Sequence, residues 1–226
     1  MDEIPVLFAV GPVHVTATVV TTSAIVLLLA IASWLGTRRL SVHQPGLVQT
    51  ALEGAVQAIE SAIEAVLPER ASLLLPFVGT LWIFIAVANL AGVVPEVHSP
   101  TADLSTTAAL AVLVFLSVHW FGVRTDGVRA YLRHYLSPNP ILLPFHVLGE
   151  LSRTLALAVR LFGNIMSLEM AALLVLLVAG FLVPVPVLML HIVEALVQAY
   201  IFGMLALIYI AGGMQSREES AARKRP

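Results

Sequence analysis

The chain has 226 residues, 59% of them hydrophobic and only 12% charged, with a mean hydropathy of +0.95, and a water-soluble domain cannot cover its surface with so little charge. The formal net charge of −2 argues against a nucleic-acid partner, and the lack of cysteine excludes disulfides, thiolate metal sites and a cysteine nucleophile. Roughly 20 apolar residues cross a bilayer as a helix, so the separate apolar runs predict an all-α polytopic membrane protein rather than a soluble domain on one anchor.

The N-terminus, Met1-Asp2-Glu3-Ile4-Pro5, lacks the basic stretch of a secretory signal, so the first apolar run, residues 15–34, is expected to stay as a span. It stops at Gly36-Thr37-Arg38-Arg39, where paired arginines mark a cytoplasmic end and leave the N-terminus outside. From 46 to 67 the texture changes. Leu52, Val56, Ile59, Ile63 and Val66 recur at helical spacing against Glu53, Gln57, Glu60 and Glu64. A surface helix on a soluble core would show the same pattern, but no soluble core remains for it to cover, so an interfacial amphipathic helix is expected.

Residues 73–94 form a second spanning run, and a polar turn with Glu96, His98 and Asp103 leads into a third, 108–121. The loop beyond carries Arg124, Arg129, Arg133 and His134 against Asp126, which puts it in the cytoplasm, as the parity of crossings also demands. After Pro138, Pro140 and Pro144 an apolar run extends to 183, where Pro184 and Pro186 are expected to break it. The last run, 187–210, is expected to end at Gly212-Gly213 before a cytoplasmic tail containing Arg223, Lys224 and Arg225. The expected division is a first span in 1–40, the interfacial helix in 41–70, a hairpin in 71–122, a basic loop in 123–143, a longer hairpin in 144–213 and a tail in 214–226. That makes five crossings. The stretch from 144 to 183 would be roughly 60 Å long at about 1.5 Å per residue, twice the hydrocarbon thickness, so it must be tilted, bent or broken.

Ionisable groups inside spans are costly, and they gather in the last two runs. Arg160 lies deep in an apolar stretch, and its neighbours three and four positions away are Leu157, Ala156, Gly163 and Asn164. No local acid pairs with it. Glu150 is about 15 Å back along the helix axis, and Glu169 falls on the opposite helical face. The counter-charge must come from another segment, another subunit or water. Snorkelling to headgroups suits an arginine near a helix end; at this central position, a guanidinium that never loses its proton suits a fixed positive barrier. His191, Glu194 and Gln198, spaced by three and four, form one polar stripe that could pass protons or coordinate an ion through water. The blander reading is a hydrogen-bonded pack between helices with Glu169 as partner.

Arg160-Leu161-Phe162-Gly163-Asn164 followed by Glu169, then His191 and Gln198 within His191-Ile192-Val193-Glu194-Ala195-Leu196-Val197-Gln198, resembles the signature of the a subunit of F-type rotary ATP synthases. Asn89-Leu90-Ala91-Gly92-Val93-Val94-Pro95 and Pro100-Thr101-Ala102-Asp103 are similar to that family's central hairpin, and the likeness runs from about Arg39 to Ala211. The resemblance implies a tilted helix hairpin lying against a ring of c subunits between two offset half-channels. Arg160 would face the ring, drawing in each deprotonated carboxylate and blocking a direct leak. Asn164, Glu169, His191 and Gln198 would line the ion route, Glu169 and His191 toward the outer half-channel. Asp103 would border the outer entrance, with Glu150 and Arg153 toward the cytoplasmic side. Leu168 stands where many bacterial members have glycine, and Glu194 where an apolar residue is common, so the outer route is expected to be built differently. The short N-terminal segment resembles variants found among ATPases suspected of sodium transport.

The same resemblance implies a bacterial inner membrane, a b-type peripheral stalk and an F1 sector as partners, and no cofactor or metal in this chain. No Walker-type phosphate loop is present, so nucleotide chemistry is expected elsewhere in the complex. The competing reading is a self-contained secondary transporter in which Arg160 binds an anionic substrate, but such folds show paired repeats and none is apparent. An intramembrane hydrolase would need a nucleophile with its base, or His-Glu-x-x-His, and neither occurs.

Overall fold

Hydrocarbon offers no partner to a backbone amide, so a chain this apolar is confined to conformations that pair their own N–H and C=O groups. The computed structural model describes residues 6–10, 13–38, 40–41, 45–94, 97–128, 143–179 and 184–215. Six α-helices account for most of them: α1 Ala17–Thr37, α2 Leu47–Glu64, α3 Ala71–Ala91, α4 Leu104–Asp126, α5 Leu143–Ala179 and α6 Pro184–Gln215. All but α2 contain a stretch long and apolar enough to cross a membrane, which makes the five expected spans. The membrane-spanning part is therefore all-helical, that of a polytopic membrane protein. The basic residues that bear on sidedness, Arg39, Arg129, Arg133, His134 and the tail, lie outside the described residues, as do Glu96, Pro138 and Pro140.

A two-stranded antiparallel hairpin precedes α1, β1 Val6–Val10 paired with β2 Val13–Thr16. Sequence reading missed it. The signal was a Gly11-Pro12 dipeptide between two short runs rich in valine, the combination that marks a turn between strands. Within α1 only Ile25 is buried, while Leu27, Leu28, Ile31 and Leu35 all lie open to the surroundings, the pattern of a helix bathed in lipid. At its end the Arg38 guanidinium lies 3.3 Å over the Trp34 ring centroid, a cation–π pair suited to the membrane interface.

Helix α2 docks by its C-terminal half only. Ile63 is fully buried against the core and Ile59 and Ala62 pack beside it, whereas Leu47, Val48, Leu52 and Val56 stay exposed. A single 3-10 turn, Pro68–Arg70, then redirects the chain into α3.

Helices α3, α4, α5 and α6 form the packed body. On α6 the buried positions include Ala195, Ala199, Phe202, Ala206 and Ile210, an inward stripe at helical spacing. Lipid is as apolar as leucine, so such helices gain little from hiding apolar surface and associate by close van der Waals fit, which favours small residues in the seam. Gly203 is the tightest case. A β-carbon there would stand 2.9 Å from two atoms of the Trp82 ring, so the indole lies flat on bare α6 backbone, with Tyr200 5.4 Å away, ring to ring.

Both ends of α6 and both ends of α4 differ from expectation. α6 begins at Pro184 and runs to Gln215 rather than spanning 187–210. Its prolines sit in the first turn, where a missing N–H costs nothing, and Gly213 continues the helix at a site where a β-carbon would come within 3.0 Å of Val118 on α4. α4 starts four residues before the expected 108 and ends five after 121. Asp103 caps it, accepting from the Ser105 N–H at 2.9 Å and the Ser105 hydroxyl at 2.7 Å. α5 is one continuous helix of 37 residues, so its excess over the bilayer is not relieved by a break.

Gly203→Ala should push Trp82 off α6 and lower stability by about 1–3 kcal/mol, the usual cost of overpacking. Gly54→Ala, at an exposed helical glycine with nothing within 4 Å, should leave stability equal or slightly higher. Thermal unfolding midpoints in detergent compare the two.

Candidate functional site

The polar side chains of the packed body fall into two groups at opposite ends of α5. The first is assembled where the end of α3, the turn Pro100–Ala102 and helices α5 and α6 meet. Asn89, fully buried in the last turn of α3, donates through Nδ2 to the Ala195 carbonyl of α6 at 3.0 Å and accepts from the Thr101 hydroxyl at 2.6 Å. Thr101 has one hydroxyl hydrogen and spends it on Asn89, so in its 2.7 Å contact with the Ser99 hydroxyl it can only accept. Ser99 also lies 2.8 Å from the Ala88 carbonyl, and its single hydrogen is shared between these two acceptors.

Glu169 of α5 closes on this scaffold. Its Oε1 accepts from the Ser99 backbone N–H at 2.9 Å, and its Oε2 lies 3.9 Å from His98 Nδ1. Gly92 leaves the space that allows it. A β-carbon there would be 2.8 Å from Glu169 Oε1, 3.1 Å from Ser99 Cβ and 3.2 Å from His191 Cε1, so carboxylate, hydroxyl residue and imidazole converge on a bare backbone. His191 is only 1% exposed, yet neither ring nitrogen has a hydrogen-bond partner among the described residues. Orphaned buried nitrogens of this kind call for water or an ion.

The expected stripe on α6 divides. His191 and Gln198 face inward and are buried, while Glu194 lies half-buried to one side with no hydrogen bond or ion pair among the described residues. Gln198 accepts from the Asn164 amide of α5 at 2.7 Å, and its own Nε2 is buried without a partner. Glu169 thus bonds to Ser99 rather than serving the stripe as its hydrogen-bonding partner.

At the other end, Glu150 Oε2 stands 3.5 Å from His119 Nε2 on α4. His119 Nδ1 lies 2.8 Å from the Phe115 carbonyl, which can only accept, so Nδ1 carries a proton. Nε2 can then bond the carboxyl only if one further proton sits on the ring or on the acid. Arg153, one helical turn on, holds its guanidinium 6.0 Å from the Tyr209 ring, the outer limit of a cation–π contact. Asp103 is the cap of α4 already described, half-buried and bonded to Ser105.

Arg160 lies between the two groups. It is exposed on α5, and no carboxylate or hydrogen-bond acceptor among the described residues reaches it, which removes another described segment of the chain as the source of its counter-charge. On the same side of α5, Ala156 one turn away and Arg153 and Ser167 two turns away are also exposed. Glu150 and Glu169 are separated along α5 by about 28 Å, close to the thickness of the hydrocarbon, with Arg160 near the midpoint. Sequence reasoning did not single out Asn89, Ser99, Thr101 or His119 as site residues. His119 was findable as an ionisable side chain within a span.

Comparison with known proteins gives a consistent outcome. The family model described as ATP synthase A chain matches residues 18–211. The chain is 64% identical over 226 residues to ATP synthase subunit a 2 of Pelobacter propionicus, covering all of this chain and 97% of that protein. It is 64% identical over 216 residues to ATP synthase subunit a 1 of Hahella chejuensis, covering 96% and 92%. It is 59% identical over 211 residues to ATP synthase subunit a of Legionella pneumophila, covering 93% and 92%.

Asn89→Ala orphans the Thr101 hydroxyl and removes the tie to Ala195, so it should cost about 1–3 kcal/mol. Combined with Thr101→Val it should cost less than the sum of the two single changes, because both remove one shared bond. Denaturation of the detergent-solubilised protein measures all three.

Proposed function

The chain belongs to the ATP synthase A chain family, and on that footing we propose that it is the stationary ion-conducting subunit of a rotary ATP synthase, passing protons or Na⁺ to and from a ring of c subunits. The observation that carries this reading is Arg160, a cation on the exposed side of α5 with no partner among the described residues, midway between two acid–histidine groups near opposite ends of the spanning stretch.

The Glu169 and His191 group, with Ser99 and Gly92, lines the outer half-channel, and the Glu150 and His119 group with Arg153 lines the cytoplasmic one. Asp103 stands at the outer entrance. An ion entering either half-channel cannot cross to the other through this subunit, because it would have to pass the guanidinium. At about 5 Å and an effective dielectric near 20, two unit charges interact by about 3 kcal/mol, a factor of roughly 100 in population. The same magnitude with the opposite sign draws in a carboxylate presented by the ring. Arginine does not release its proton in the exchange, so charge moves only when the ring carries it. Asn164 and Gln198, bonded to each other one helical turn from Arg160, add neutral amides that solvate the passing group, and Glu194 borders the same route. The partly exposed Glu194 and the unpartnered nitrogens of His191 and Gln198 support a route that holds water.

This assigns the chain no catalytic residue of its own. ATP is made or hydrolysed in the F1 sector, a b-type stalk holds the subunit against the ring, and the whole sits in a bacterial inner membrane with the N-terminus outside and the C-terminus cytoplasmic.

The complex, purified through this chain and reconstituted in vesicles, should acidify the lumen on addition of ATP. Arg160→Ala should assemble with undiminished ATPase content and fail to pump. Pumping that survives the substitution, or a chain that brings no ATPase with it, overturns the reading.

A further inference from the structure

We propose that His98 is the proton-collecting group of the outer half-channel, an assignment that rests on the ion-translocation reading and extends it to a residue outside the spans. Three titratable groups lie in order of depth at this corner. The His98 side chain is 86% exposed, that of Glu169 17%, and His191 is 1% exposed. The dipeptide His98-Ser99 grips both oxygens of one carboxylate, the backbone N–H of Ser99 on Oε1 at 2.9 Å and the imidazole of His98 beside Oε2 at 3.9 Å. On its inner side the same carboxylate and the His191 ring share the space over Gly92.

That geometry divides the labour. A hydrogen bond fixes Oε1, so Oε2 is the oxygen free to take and release a proton. The separation of 3.9 Å is too long for a direct hydrogen bond, and an exposed side chain closes it by a small rotation or through one water. An imidazole is also the side chain whose ordinary titration range lies nearest neutrality, which lets it take a proton from bulk water and give it up again without a large barrier in either direction. The step balances simply. Imidazolium Nδ1–H gives its proton to Oε2, leaving neutral imidazole and a carboxylic acid, and the ring is recharged from solvent. Among the described residues, the other titratable groups facing this corner are Glu169 from α5 and His191 from α6. Asp103 at the head of α4 is turned onto Ser105, and α1, which touches the Pro100–Ala102 turn, carries no titratable side chain between Ala17 and Thr37.

The test is ATP synthesis by the whole complex in vesicles energised by an imposed potential, with the outer face of the protein in a weakly buffered lumen. His98→Gln should assemble normally, judged by co-purifying ATPase, and lower the synthesis rate severalfold. Imidazole loaded in the lumen should restore most of that loss, and the defect should shrink as luminal buffer is raised. A variant with the native rate at low buffer overturns the proposal, and so does a loss that imidazole leaves in place, which would make His98 a structural clasp on Glu169. Failure of the parent reading looks different: the native complex would make no ATP, or Arg160→Ala would retain synthesis.

Discussion

The bond from the Asn89 amide to the Ala195 carbonyl holds together much of what the rest of the molecule depends on. Helices in lipid have no hydrophobic incentive to find one another, and a buried amide without a partner is more expensive there than in water. This one ties α3 to α6 at the level of the titratable groups. Through Thr101 and Ser99 it also fixes the loop that presents an N–H to Glu169. Stability and site therefore share the same atoms. Close packing is layered on that tie: Gly203 under Trp82 and Gly213 against Val118 let α6 approach its neighbours to backbone distance.

The arrangement of charge follows from where hydrogen-bonding partners exist. The two carboxylates of α5 each have a histidine beside them, Glu169 with His98 and Glu150 with His119. Arg160 has no such companion. The acid–histidine groups suit exchange with solvent, and the lone guanidinium suits exclusion. Their separation by roughly half a bilayer on either side keeps the two properties from interfering.

Much of this was legible in the sequence. The five apolar runs gave the spans, the alternating texture of residues 46–67 gave the amphipathic helix, and the lack of an acid within one turn of Arg160 already pointed to an unpaired charge. Boundaries went astray where a residue type has two uses. Pro184 and Pro186, read as ending the preceding run, also open α6, whose start was expected at 187, and Gly212-Gly213 read as a stop, whereas the helix runs on and Gly213 packs bare against Val118. The polar scaffold was hidden for a different reason. Glu169 meets Ser99 across 70 positions and Asn89 meets Ala195 across 106, and no local pattern encodes a contact of that range. Asp103 has a local use that the sequence reading did not name: its carboxylate caps α4.

The burial pattern of α5 has a mechanical side. Of its 37 residues, those buried are Leu157, Ala158, Leu161 and Ile165, all within five positions of Arg160, while the ends run on with their apolar side chains uncovered, Leu177 83% and Val178 84% exposed. A rod packed along its middle, tied at Glu150 and Glu169 and overhanging beyond them, deflects least along the held stretch. The guanidinium is mounted at the stiffest point of a long lever, so a sideways load on the helix flexes its overhanging arms before it shifts the charge.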